Sequence, residues 1–235
     1  MQDFAQSFSV AFQLVASLDP DLAEVIGLSL RVSLSAVAVS ALIGLPLGAA
    51  LATSEFPGRN ALIIVVNALM GLPPVVVGLM VYLALSNAGP LGWMQLLYTP
   101  TAMIIAQTIL VTPIITALTR EIIEQLNSEY AEYFKSLCLT RRQRLGALLR
   151  DARYGLLTVG LAGFGRAIAE VGAVIIVGGN IDHLTRVMTT AIALETSKGD
   201  LSMALALGIV LLAIALAVNA AVMMIRGSAA RTAYA

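Results

Sequence analysis

Five apolar runs, each about long enough to cross the hydrocarbon layer of a membrane, constrain this 235-residue chain more than any other feature. They cover roughly residues 25–53, 61–85, 101–118, 156–177 and 201–225. A bilayer interior offers no water to an unpaired amide, so such runs must be helices that satisfy their own backbone. The residues are 59% hydrophobic and 12% charged, against about 45–50% and about 25% in a soluble domain. The expected fold is an all-α integral membrane protein, a single transmembrane domain over 1–235 with about five transmembrane helices. Cys138 is the only cysteine and His183 the only histidine, which excludes an intramolecular disulfide and leaves no Cys/His set to ligate zinc. No metal site is expected. The formal net charge is zero, so nothing argues for a nucleic-acid partner.

Where the charges sit is informative. Arg59, Arg120, Lys135, Arg141, Arg142, Arg144, Arg150, Arg153, Arg226 and Arg231 fall on one side of the five runs, and only Arg186 and Lys198 on the other. Cytoplasmic connections collect Lys and Arg, which predicts a multi-pass inner-membrane protein with its N-terminus outside and its C-terminus in the cytoplasm. The connection holding Trp93 and Tyr98 is uncharged, as an outer aromatic belt would be. The first twenty residues lack the basic start of a signal peptide. They are expected to form an interfacial amphipathic helix with Phe4, Phe8, Phe12 and Val15 on one face.

Glycine and proline recur inside the runs. Gly44 and Gly48 are expected to let two helices approach closely. Pro46, Pro73, Pro74 and Pro113 each remove a backbone donor and predict kinks, and the adjacent Pro73 and Pro74 predict a helix broken in mid-membrane beside a pathway. Three charges also lie in apolar surroundings. Arg31, near the outer end of its run, is expected to reach the headgroups. Arg166 and Glu170 are four residues apart and share a helix face, so they can pair. Two readings of the pair stand side by side: a self-neutralised link between helices, or an arginine that guides an anion, against which the charge of Glu170 counts.

Residues 119–155 form the largest predicted cytoplasmic element. The stretch SEYAEYFKSLCLTRRQRLGALLRDARYG reads as two short helices, the first capped by Ser128 and the second opened by a Thr140–Gln143 capping box. Leu145, Leu148 and Leu149 make an apolar stripe, with Arg141, Arg142, Arg144 and Arg150 around it. Read alone, this fits the groove of a cytoplasmic partner or an anionic lipid surface equally well.

The same stretch resembles the coupling loop of ABC importer permeases, whose form is Glu-Ala-Ala, a three-residue step, glycine, then a hydrophobic stretch ending in Leu-Pro. Ala131 and Glu132 begin it, Leu137 precedes the glycine position, and Leu148-Leu149 lies near its end. It departs from that form at Tyr133 and Phe134, at Cys138 in the glycine position, and at Asp151 where proline is expected. GLPPVVVGLMVY, DARYGLLTVGLAGFGRAIAEVGAVIIVGGNI and TRVMTTAIALETSKGD resemble the tungstate-type branch of the molybdate, sulfate and tungstate permeases, a likeness that runs from about Leu22 onward.

The resemblance implies a homodimer around one pathway, a pair of cytoplasmic ABC ATPases, an extracytoplasmic oxyanion-binding protein, and surrounding membrane lipid. It implies ATPase coupling through Ala131, Glu132, Leu137, Cys138, Arg141, Leu145, Leu148 and Leu149. It implies a pathway or gate at Pro73, Pro74, Pro113, Arg166 and Glu170. The predicted outer loop, 178–200, offers Asn180, Thr185 and Arg186 to the anion or the binding protein, or is a plain connection. No G-x-x-x-x-G-K-[ST] phosphate loop is present, so ATP and Mg are expected in the partner and no cofactor in this chain, which is then not itself an enzyme. Import of an oxyanion, above all tungstate, is the expected function. Molybdate, sulfate or another small solute are alternative cargoes, and a passive channel with a lipid-contacting basic loop is a reading from a different class.

Overall fold

The computed structural model describes residues 20–233 together with Ser9, Phe12 and Gln13, so the helix expected over 1–20 lies outside the described residues. Nine α-helices follow one another with no strand among the described residues. They are α1 (Pro20–Thr53), α2 (Arg59–Met70), α3 (Pro74–Leu85), α4 (Pro100–Glu129), α5 (Ala131–Ser136), α6 (Arg141–Ile168), α7 (Gly172–Gly178), α8 (Met188–Lys198) and α9 (Leu201–Ala233). α1, α4 and α9 are each long and apolar enough to cross a membrane alone. Counting each of two bent pairs as one span gives up to five: α2 with α3, bent by 99°, and α6 with α7, bent by 58°.

The first bend follows from its residues. Gly71 and Leu72 close α2 with bonds to Ala68 O and Leu69 O, Pro73 is extended with ψ near 123°, and Pro74 opens α3. Two prolines at the break have no N–H to leave unpaired, so this turn strands few donors in a membrane. Pro46 and Pro113 behave otherwise. Both lie inside helices that continue past them, so neither ends its span as Pro73 does.

The second bend was not expected. The hydropathy predicts one run over 156–177, whereas α6 begins at Arg141, continues to Ile168 and breaks before Gly172. The Thr140–Gln143 capping box does form, but it opens a 28-residue helix rather than a short one. Ser128 does not cap α5. It lies in the last turn of α4, where its hydroxyl donates to Gln125 O at 2.8 Å, and Tyr130 joins the two helices.

α4 is the centre of the bundle: 56% of its most apolar window is buried, against 22% in α9. Ser40 meets Thr108, Gly44 meets Thr112 and Ile115, and Gly48 meets Thr116, Thr119 and Arg120. The numbers climb together on both helices, so α1 and α4 run parallel. α6 crosses α4 in the opposite sense, with Gly155 against Ile122, Gly163 against Ile115 and Gln107 bonded to Ala167. The short second halves of both bent spans pack on each other through Gly78 and Ala173.

These directions gather the connections at two ends. The C-terminal end of α1, the start of α2, the last turns of α4 and the start of α6 surround one cleft at the basic end. The start of α1, residues 182–186 and the start of α9 surround a smaller pocket at the other, acidic end.

Candidate functional site

The break between α6 and α7 frees backbone groups deep in the bundle, and each one described here finds a side chain or a neighbouring amide. Ala167 O accepts Gln107 Nε2 at 3.0 Å, and Glu170 O accepts the Thr189 hydroxyl at 2.8 Å. Ala173 N–H donates to Glu170 Oε1 at 3.1 Å, and Arg166 donates to Glu170 Oε2. Glu170 is 3% exposed and Arg166 about a third. A bare carboxylate at this depth would carry a large desolvation penalty, which the guanidinium and the amide offset together. The Arg166–Glu170 pair thus forms, although Glu170 lies just past the end of α6 and not on its face, and the carboxylate also bonds the first turn of α7. Gln107, whose Oε1 finds no partner among the described residues, lines a cavity of about 10 Å³ with Ser33 and Glu170, about the size of one water.

Two further bonds tie the break to the rest of the bundle. Ser29 Oγ accepts Met188 N–H at 2.7 Å while donating to Val25 O, which pins the start of α8 to α1. Sequence reasoning passed over Ser29 and Gln107, and a glutamine inside an apolar run was the signal that could have found the second. Arg31 is exposed on α1 and forms no ion pair among the described residues.

At the basic end, Arg59 donates to Leu51 O and to Glu124, each at 2.7 Å, and Arg120 reaches the other oxygen of Glu124 at 2.8 Å. Arg144 Nε donates to Asn127 Oδ1 at 2.6 Å and its guanidinium lies 5.9 Å from the Phe134 ring centre. Phe134, Leu148, Ile123 and Ala152 form one apolar cluster that fastens α5 to α4 and α6. Leu148 is fully buried there, which corrects its assignment to a docking stripe: a side chain with no exposed surface cannot touch a partner. Leu145 is half-buried and Leu149 partly exposed. Ala131 is half-buried, while Glu132, Tyr133, Leu137 and Cys138 face outward, with Glu132 paired to Lys135 at 2.9 Å. Arg141 opens α6, and its side chain lies outside the described residues. Asp151, at the position where the resemblance expects proline, hydrogen-bonds the Tyr130 phenol and raises it above its ordinary value.

Cys138 takes φ of +49°, the left-handed region that favours glycine, which gives a physical reason for glycine at this point of the loop. Cys138→Gly is expected to relieve about 1 kcal/mol after glycine's own entropic cost, raising the melting temperature of the purified protein by a few degrees. Cys138→Val is expected to lower it. Equal melting of the three proteins would remove this account.

The acidic end is held by local bonds. The Thr185 hydroxyl donates to Gly178 O at 2.5 Å and accepts Ile181 N–H at 3.0 Å. Asn180 donates to Thr190 O at 3.5 Å, and Arg186 pairs with Asp182 at 2.5 Å. Thr185 is 1% exposed with both functions used, which corrects its reading as a free donor for an anion; Asn180 and Arg186 are likewise engaged in closing the loop. His183 Nδ1 lies 2.8 Å from Glu24 Oε2 and ties this loop to α1. The hydrogen bond to Glu24, the attraction of the same carboxylate and that of Asp182 raise the imidazole above 6.5. Since the folded value is the higher one, the tie is fully present below about pH 6.5 and is lost as pH climbs through the raised value. The melting difference between the native protein and His183→Ala is expected to shrink between about pH 6 and pH 9; a difference that is flat or widens over that range would exclude the tie.

Residues 44–228 match the model of a family described as binding-protein-dependent transport system inner membrane component. The chain is 45% identical over 222 residues to a tungstate uptake system permease protein of Peptoclostridium acidaminophilum, covering 94% of this chain and 97% of that one. It is 43% identical over 204 residues to a probable anion ABC transporter permease protein of Haloferax volcanii, covering 85% and 88%. A sulfate transport system permease protein of Escherichia coli is 29% identical over 195 residues, covering 76% and 64%.

Proposed function

This chain belongs to the binding-protein-dependent transport system inner membrane component family, and from that membership we propose that it carries an oxyanion, tungstate before molybdate or sulfate, into the cytoplasm as an ABC importer permease. The single observation that supports the mechanism best is α5. Its buried Phe134 is locked against Ile123 of α4 and Leu148 of α6, while Glu132, Tyr133 and Leu137 face out beside it. A six-residue helix held that way is a rigid handle on two spans at once. An ATPase pair gripping this handle from below would move α4 and α6 together, and α4 carries α1 through the glycine contacts described above. The bend at Pro73 and the bend at Glu170 are the places where such a movement can change the span without breaking its packing.

The remaining assembly follows the same reading. Two copies enclose the pathway, the basic end faces the cytoplasm by the positive-inside bias, and an extracytoplasmic oxyanion-binding protein delivers cargo to the acidic end. Tungstate is favoured because a relative 45% identical over 94% of this chain is a tungstate uptake system permease protein. The Arg166–Glu170 pair serves the architecture in this reading rather than holding the anion, since Glu170 takes up the arginine's charge.

Proteoliposomes holding the chain, its ATPase and its binding protein are expected to accumulate tungstate only with ATP. Uptake that continues at full rate without the ATPase would leave a passive channel in place of this reading. Glu132→Arg and Leu137→Asp are both on exposed surface, and each is expected to cut ATPase co-purification at least tenfold while the membrane domain stays folded. Unchanged co-purification in both variants would exclude α5 as the handle.

A further inference from the structure

The cleft at the basic end, about 590 Å³, falls within the range of about 300–1,000 Å³ common for small-molecule sites. Its walls hold Arg59, Arg142 and Arg144 with the polar side chains of Asn127 and Ser128. Glu55 and Glu124 also line it, but Glu124 is already shared between Arg59 and Arg120. Three guanidiniums against two carboxylates on its walls leave an excess of one positive charge, and Arg120 behind Glu124 takes up part of that carboxylate's charge. Arg142 is exposed and forms no hydrogen bond or ion pair among the described residues, and Arg144 is bonded to Asn127 through Nε alone, so its terminal amines remain available. Guanidinium forks facing one space are suited to an anion with several oxygens at tetrahedral angles.

What lies next to the cleft narrows the anion further. Arg59, one of its walls, is the first residue of α2, a helix with no buried residue. Leu62, Val65 and Leu69 are exposed along α2 and lead away from Arg59 toward the membrane middle. At 1.5 Å per residue α2 is about 18 Å long, close to half the thickness of a hydrocarbon core of about 30 Å. A cationic pocket at one end of a bare apolar helix of that length has the shape and polarity of a phospholipid lying on its side wall.

We propose that this cleft binds the phosphate of an anionic phospholipid between Arg59, Arg142 and Arg144, with the acyl chains running along α2. The cleft's chemistry does not depend on which cargo the chain carries, so this stands apart from the transport reading.

The test uses the full chain, delipidated in detergent and titrated with phosphatidylglycerol or phosphatidylcholine, with bound lipid counted by native mass spectrometry. Phosphatidylglycerol is expected to be retained in preference, and Arg142→Gln to weaken it about fivefold, the effect of one surface cation on an anionic lipid. Arg142→Gln leaves the packing untouched because that side chain has no partner to lose; Arg142→Gln with Arg144→Gln is expected to bring retention down to that of phosphatidylcholine. The double variant Arg150→Gln with Arg153→Gln removes the same charge from the same helix outside the cleft walls, and is expected to retain phosphatidylglycerol as the native chain does. Equal losses in the two double variants would reduce the effect to general surface charge and overturn the proposal. Displacement of phosphatidylglycerol by millimolar inorganic phosphate would overturn it too, in favour of a site for a free anion.

Discussion

Gly48→Ala is expected to remove most of the folded protein recovered from membranes. A Cβ at this position would lie 2.5 Å from Thr116 O, 2.7 Å from Thr119 Cβ and 3.0 Å from Arg120 N. Two of those atoms belong to the backbone of α4, so no rotamer change relieves the contact and the two helices must separate. Overpacking of a well-packed interface costs about 1–3 kcal/mol, and more where backbone must move. α1 against α4 is the most extensive pairing in the bundle, so a separation there spreads to Arg59–Glu124 and to Ser40–Thr108. A Cβ at Gly44 would lie 2.9 Å from Ile115 Cγ2, 3.1 Å from Ile115 Cβ and 3.2 Å from Thr112 O, each longer than the shortest contacts at Gly48, so Gly44→Ala is expected to do less harm. Gly27→Ala and Gly208→Ala meet nothing within 4 Å and are expected to melt at or slightly above the native temperature, since alanine favours a helix by about 1 kcal/mol over glycine. Size-exclusion profiles and melting curves in detergent measure all four. A Gly48→Ala protein that melts with the native one would mean that α1 and α4 are not packed as described.

Glu170→Ala carries the second large effect, about 3–5 kcal/mol, the usual loss when one member of a buried ion pair is removed. It strips Arg166 of its partner and Ala173 of its cap in one change. Arg166→Ala is expected to lose a comparable amount, because it leaves a carboxylate with 3% exposure facing only one amide. The exchange variant, Arg166→Glu with Glu170→Arg, separates the two roles of Glu170. A pair that does nothing but neutralise itself would be restored by exchanging its members. An arginine at 170 cannot accept the Ala173 N–H, so the exchange is expected to recover only part of the loss in melting temperature. Full recovery would show that the cap contributes nothing. Glu170→Gln, which keeps an acceptor but no charge, is expected to fall between the native protein and Glu170→Ala.

The geometry of Glu170 also shows where sequence reading stopped. The spacing of Arg166 and Glu170 predicts a pair on one helix face; the pair forms, but with Glu170 past the end of α6. That spacing was not enough to predict that the helix ends at Ile168, between the two, and leaves Glu170 in the break before α7. No proline marks that place, and a hydropathy sum over 156–177 is the same whether the run is straight or bent. The bend is held by Gln107 of α4 and Thr189 of α8, one far before the break and one beyond the next loop. The Pro73–Pro74 break was legible because its cause is covalent and local: two rings without N–H groups at adjacent positions.

The basic end divides in the same way. Thr140 and Gln143 form the box their spacing predicts, since a cap needs only a few neighbouring residues. Leu148 and Leu149 look alike in the sequence, yet one is fully buried under α5 and the other is partly exposed. The choice depends on the angle at which α4, α5 and α6 meet, which no single helical period contains.

The sequence by itself determined that this chain is an all-α membrane protein with five apolar runs, that most of its arginines collect at one end, and that a proline pair interrupts the second run. Each of these is a sum over neighbouring residues or a property of one residue's covalent structure. Only the tertiary structure decided that the fourth span is also broken, that Gly48 sits under the backbone of α4, and that Thr185 closes a loop instead of facing a pathway. Those outcomes depend on which distant groups arrive within hydrogen-bonding or van der Waals distance. In a medium that supplies no water, every freed amide and carbonyl must find such a partner from elsewhere in the fold.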